Sequence, residues 1–389
     1  MANTTVKYFH SAMNGAPVLS GTSGALIAVL DACLVSGFGA GVADSVVITS
    51  NVAVVTLAAG HSQEIGSVAF ISGATVTGGS INGEQKVIAA TATTFSFATT
   101  SISNQTATGT ISQKLAPAGW AKPFSATNVA AYKSSDPTST GFSLRVDDTG
   151  TTACRVIGYE VMSDIATGTG PFPTPVQRPG GCFWAKSVSA DSTPSGWIVA
   201  TDAKTVYVAR RFHPGYPNAY ELTMFGDINS TKGGDAYSCV LNGFTASTAG
   251  PPPNSVDNLW CSTGSVASEF YVARGYTGLG GSAQLRKSIP QLGTTTLSFN
   301  SGQGSTPYPN TCDGGVYLAP VNIAEHSTLA FRGTLPGYYG CAQNIADGIY
   351  ASRDSVIGID GLPGRTIKVL TGAYNGLGAS FFDITGPWR

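Results

Sequence analysis

Six short runs between Ser45 and Gln113 constrain the fold more than any other feature of the chain. Ser45–Thr49, Val52–Leu57, Val68–Ile71, Lys86–Ile88, Thr94–Phe97 and Thr106–Ser112 are rich in β-branched or aromatic residues, with Gly, Ser, Asn and Thr between them. Such side chains suit a pleated, half-buried surface, and the small polar residues supply turns. Strands at this spacing predict a small antiparallel domain, Ig-like sandwich or barrel, over residues 45–113. Asn82-Gly83 is expected to form a hairpin turn, because both residues tolerate positive φ.

A different pattern precedes this region. Residues 1–44 read as an N-terminal helical segment. Thr22 or Ser23 can accept free backbone N–H groups at the helix start, and Gly37 can end it in a left-handed conformation. Leu26, Leu30 and Cys33 share one face by i, i+4, i+7 spacing, and Ile27 and Leu34 add a second apolar stripe. Such a helix must be covered, either by its own domain or by another subunit, which makes Leu26 and Leu30 candidate assembly contacts. Residues 114–143, punctuated by Pro117, Pro123 and Pro137, read as a linker, with Trp120 and Phe124 packing on a neighbour. Residues 144–389 form a second, larger β-rich region of antiparallel sandwich type, open to division into two subdomains. Its clearest hairpin joins Gly196–Ala200 to Thr205–Ala209 through Thr201-Asp202-Ala203-Lys204. Pro251-Pro252-Pro253 marks a rigid surface turn or spacer. The fold class expected is therefore mainly β.

Composition narrows the function. Only 11% of the 389 residues are charged and the formal net charge is -1, with 21 Lys+Arg against 22 Asp+Glu. Phosphate binding needs clustered Lys and Arg, so nucleic acid is not expected as a partner. The longest apolar stretch, Ala25–Val35, is interrupted by Asp31 and is too short to span a ~30 Å hydrocarbon core, so no membrane span is expected. Gly37-Phe38-Gly39-Ala40-Gly41 follows the helix, whereas a phosphate cradle precedes one.

Reactive constellations are equally scarce. Seven cysteines stand far apart with no CxxC pair, which argues against zinc and for buried thiols, with one or two bridges after residue 150 as the alternative. The four histidines, His10, His61, His213 and His326, offer no HxxxH pair. His213 reads as a turn hydrogen-bonder. No GxSxG elbow is present. Asp147-Asp148 and Asp227 with Asp235 are the carboxylates worth weighing, although Asp147-Asp148-Thr149-Gly150 is more simply a turn. Catalytic, cofactor and metal residues are accordingly expected to be none. Tyr216, Tyr220, Tyr308, Tyr338, Tyr339 and Trp388 stand near Gly or Pro. Of these, Tyr338 and Tyr339 are the candidates for contact with a host surface glycan, with core packing as the alternative.

Several segments resemble structural proteins of tailed bacteriophages. They are Val6–Pro17 with the following helix, Ile71–Ala74 with Asn82-Gly83 and Thr93–Phe97, Phe225–Ser230 with Gly234–Tyr237, and Gly361–Gly364 with Phe381–Trp388. The resemblance implies a non-enzymatic virion component, assembled in the host cytoplasm and placed in the tail at the tip or baseplate. Its partners would be copies of itself and other tail proteins in a symmetric assembly. The alternative is a receptor-binding or capsid-decorating protein that recognises a glycan. No catalytic residue carries over.

Overall fold

The computed structural model describes residues 2–245, 269–288, 306–341, 343–344, 350–357, 362, 364–371 and 379–389. Pro251-Pro252-Pro253, Cys261, Gly361 and Pro363 lie outside the described residues, as does the side chain of Tyr216. The protein is mainly β; its described residues form antiparallel sheets of 8, 6 and 13 strands and one short parallel pair.

The 8-stranded sheet takes its strands from Phe38–Val42 through Ser112–Leu115. Alternation builds it. In Ser45–Thr49, Val46 and Ile48 point inward while Val47 faces out beside its cross-strand partner Val54. The inward residues, with Val55, Ile71, Val87, Phe95 and Phe97, form a core of their own. A bulge in the strand Gly83–Ala90, between Val87 and Ala89, lets that strand pair with Val68–Ser72 on one side and Thr94–Ala98 on the other. Bulges bend strands in this way. Asn82-Gly83 is not a hairpin turn. Gly83 opens a strand, while the Asn82 amide is spent on clamping Ala74, accepting from its N–H at 2.9 Å and donating to its carbonyl at 2.8 Å.

Residues 114–143, expected as a linker packed on a neighbour, contribute strands of their own. Trp120–Ala126 and Val129–Ser134 are adjacent strands of the 6-stranded sheet, and the Trp120 indole donates to Asp202 O at 3.0 Å. Proline is tolerated there because Pro123 falls at the register shift between Ala121 and Phe124. The remaining strands of this sheet are Ser143–Asp147, Ala153–Met162, Gly168–Phe172 and Cys182–Ala185.

The large sheet joins both ends of the chain. Lys7–His10 is its edge strand against Trp197–Thr201, and Ala379–Asp383 pairs with Phe331–Cys341 and Thr366–Thr371. The first residues are thus a strand of the C-terminal sheet, where sequence periodicity gave only a helical segment. The hairpin over residues 197–213 has its turn where expected, with Asp202 Oδ1 accepting from the N–H groups of Lys204 and Thr205.

The N-terminal helix is short. Ala25–Leu30 is α-helical, and Asp31–Ser36 continues as a π-helix ended by Gly37 at φ 72°. Its cap is neither Thr22 nor Ser23. Asp148 supplies it from the 6-stranded sheet, its Oδ2 accepting from Leu26 N at 2.7 Å and Ile27 N at 3.1 Å. The helix lies in one core with Tyr132, Leu144, Val146 and Trp184 of the 6-stranded sheet and Val199, Val208 and Phe225 of the large sheet.

Candidate interaction surface

Three of the four residues singled out in the sequence are buried inside the chain. Leu26 and Leu30 are 1% and 0% exposed, so this chain covers its own helix and neither residue can touch another subunit. Tyr338 is 0% exposed, stacked on Tyr207 at 5.6 Å and packed against Phe382 at 5.2 Å, which excludes it from a glycan groove. Tyr339 is half-buried, paired with Phe381 and packed beside Tyr308 and Tyr350. Aromatic residues near Gly here mark close packing. Gly337 at φ 62° leaves the space that the Trp388 indole fills, and that indole donates to Asp383 O at 2.7 Å.

The carboxylates are structural as well. Asp227 is buried and accepts from Thr140 N at 2.8 Å and Thr140 Oγ1 at 2.6 Å. Asp147 bonds Thr149 Oγ1 at 2.8 Å, as a turn residue does. His213 accepts from Gly215 N at 3.0 Å within its turn. Among the described residues no group of three or more His, Cys, Asp or Glu is placed to hold a metal ion. Of the described cysteines, Cys33, Cys154, Cys182 and Cys239 are buried, Cys341 is half-buried and Cys312 is exposed. No helix among the described residues is long and apolar enough to cross a membrane.

Among the described residues, one group of exposed apolar side chains stands on segments tied together by a buried arginine. Its foundation is Arg332, 0% exposed, whose guanidinium meets Asp235 Oδ2 at 2.9 Å and Glu325 Oε1 at 3.0 Å and donates to Arg274 O at 2.9 Å. Burial alone would push the Asp235 carboxyl up, but hydrogen bonds from Ser230 and Arg332 outweigh it and hold the group below the usual carboxylate range. These bonds tie three loops together. Thr231 N donates to Arg332 O at 3.0 Å, Lys232 Nζ to Tyr276 O at 2.7 Å, and Tyr276 N to Glu325.

On the outside of those loops stand Tyr276 at 42% exposure, Leu279 at 78%, Leu329 at 60% and Phe331 at 46%. Lys232 Nζ lies 5.3 Å from the centre of the Tyr276 ring, and the Arg332 guanidinium lies 5.9 Å from it. Cations over an aromatic face attract its quadrupole, so the ring is held in place. Scattered exposed apolar residues are ordinary. Here Tyr276 and Leu279 stand on one turn, Leu329 and Phe331 lie where another segment enters a strand, and one buried ion-pair network joins the two segments beneath them.

The small β-domain is fixed to the rest by a polar seam. Lys7 pairs with Glu84 at 2.8 Å, His10 with Glu64 at 2.9 Å, and Lys86 Nζ donates to Ile384 O at 2.6 Å. Burial, with Lys7 nearby, pushes the Lys86 ammonium down to about 8. Both chain ends therefore meet the small domain in one place.

No family model matches the chain, and no curated protein matches it. Among solved structures, the phage phi92 endosialidase aligns with 90% of this chain and 52% of its own, at 10% identity and a TM-score of 0.17. The chain thus spans about half the length of that protein, and a TM-score this low carries no inference about chemistry or shape.

Proposed function

We propose that this protein is a non-enzymatic structural component of a bacteriophage tail, at the tail tip or baseplate, that builds a symmetric assembly with its own copies and other tail proteins. The observation that carries the reading is the exposure of the apolar side chains Tyr276, Leu279, Leu329 and Phe331 on segments tied by the buried ion pairs of Arg332 with Asp235 and Glu325. A part that works by contact benefits from a surface whose ordering cost is met during folding. The resemblance of its segments to tail proteins points the same way, and a patch repeated around an axis builds a ring or spike. Antibody labelling of intact particles, read by negative-stain microscopy, is expected to mark the tail. Label confined to the capsid would reject the assignment.

A second reading, recognition of a host surface glycan, is favoured by the Tyr276 ring with the Lys232 ammonium beside it. An exposed ring packs on the apolar face of a sugar while a neighbouring cation and amides bond its hydroxyl or carboxylate groups. On this reading Tyr276→Ala abolishes glycan-array binding and leaves the thermal midpoint within about 1–2 °C of wild type, as expected of an exposed substitution. Equal binding by wild type and variant would remove Tyr276 from any glycan site.

A further inference from the structure

A buried constellation far from the exposed surface is equipped for a reaction within the chain itself. Asp148 and Lys186 are 0% exposed, and Lys186 Nζ lies against Asp148 Oδ1. The same Oδ1 accepts from the Cys154 thiol at 2.9 Å, and Cys154 is 0% exposed too. The other carboxylate oxygen, Oδ2, accepts from the backbone N–H groups of Leu26 and Ile27 at 2.7 and 3.1 Å. Lys186 Nζ also donates to Thr22 O at 2.7 Å, which fixes its direction. A lysine Nζ, a carboxyl carbon, two donors on one oxygen and a thiol on the other thus meet in a buried site.

We infer that Lys186 and Asp148 condense to an isopeptide bond between Nζ and Cγ, with Cys154 as the proton relay. In the first step of this reaction one proton passes from Nζ to Oδ1, which leaves an amine facing an acid. The Nζ lone pair then attacks Cγ. Negative charge collects on Oδ2, where the Leu26 and Ile27 N–H groups stabilise it as oxyanion donors do. The Cys154 thiol gives its proton to the Oδ1 hydroxyl and takes one back from the nitrogen. The Cγ–Oδ1 bond breaks, and Oδ1 leaves as water. Nζ loses two protons, both depart in that water, and one Nζ–H remains on the amide. No oxidant, reductant or second reactant enters. Burial, reinforced by the Asp148 charge, pushes the Cys154 thiol well above its ordinary range, which keeps its proton available.

Direct mass measurement of the denatured, full-length wild-type protein tests the bond without any variant. The expected mass is one water below that of the sequence, after allowance for the N-terminal methionine. Tryptic digestion is expected to give a branched peptide joining the segments that carry Asp148 and Lys186, because trypsin does not cut after an acylated lysine. Lys186→Arg should show the full mass and linear peptides. Cys154→Ala, followed during refolding from denaturant, should form the bond about 100-fold more slowly, within the usual range for a general acid–base group. A wild-type chain of full sequence mass with only linear peptides overturns the proposal. Bond formation at the wild-type rate in Cys154→Ala overturns the thiol's part in it.

Discussion

Replacing Arg332 by Met is expected to lower the free energy of unfolding by about 3–5 kcal/mol, the usual cost of breaking a buried ion pair from one side. The guanidinium is the shared counter-ion of Asp235 and Glu325, which are 3% and 5% exposed at the side chain. Methionine fills much of the same volume but leaves the two carboxylates with no cation between them. The turn that carries Tyr276 and the strand that Phe331 opens lose their tie at the same time, so on the proposed reading the variant should also assemble poorly. Urea denaturation at neutral pH checks the first statement, through a lower midpoint with an unchanged slope. The pH dependence checks the cause. Asp235 is held below the usual carboxylate range in the folded protein, so its contribution is present above its unfolded value of about 4 and is lost as pH falls through the folded one. Wild type therefore loses this stability on acidification, whereas the variant lacks the Arg332 part of it from the start. The gap between the two should narrow on acidification, as protonation of Asp235 removes its part of the wild-type advantage. A gap independent of pH would assign the loss to packing instead.

Much of the architecture is legible because it rests on local alternation. Val46 and Ile48 face the core while Val47 faces out, and that period of two is visible in the residues themselves. The hairpin at Asp202 is legible for the same reason, since Asp caps its own turn. What escapes is non-local. Lys7–His10 is only a short run until Trp197–Thr201 offers it an edge, 190 residues later in the chain. The helix N-cap is hidden because Asp148 reaches it across 122 residues, while the nearer Ser23 turns its hydroxyl to Thr149 O at 2.8 Å. Prolines suggested a linker at 114–143, but Pro123 sits where the register already breaks. The candidate surface was missed for a related reason. Tyr338 and Tyr339 stand out as a pair, yet a strand alternates its faces and carries the first into the core. Tyr276 is a single ring in Arg274-Gly275-Tyr276-Thr277-Gly278, and the flanking glycines and arginine are the signal that marks it as a loop-borne aromatic.

Replacing Asp148 by Ala should be at least as damaging as any change on the surface, because one side chain serves four partners. It caps Leu26 and Ile27, neutralises Lys186 and accepts from Cys154. Loss of the cap costs about 1 kcal/mol, and loss of the buried counter-ion about 3–5 kcal/mol. Asp148→Asn separates the two, because its amide oxygen still accepts from Leu26 and Ile27 while the charge is gone. The asparagine variant should therefore lie between wild type and alanine in urea midpoint, closer to alanine. Once condensed, the pair carries no charge, and the bond gives wild type an advantage of another kind. Closing a chain segment of 38 residues between positions 148 and 186 removes unfolded-state entropy worth about 4 kcal/mol in the chain-entropy account. Lys186→Arg keeps a cation beside Asp148 but cannot form the amide, so it isolates this contribution. Its midpoint should fall by the loop-closure amount beyond any packing cost, and a midpoint equal to wild type would mean that the pair holds the helix by charge alone.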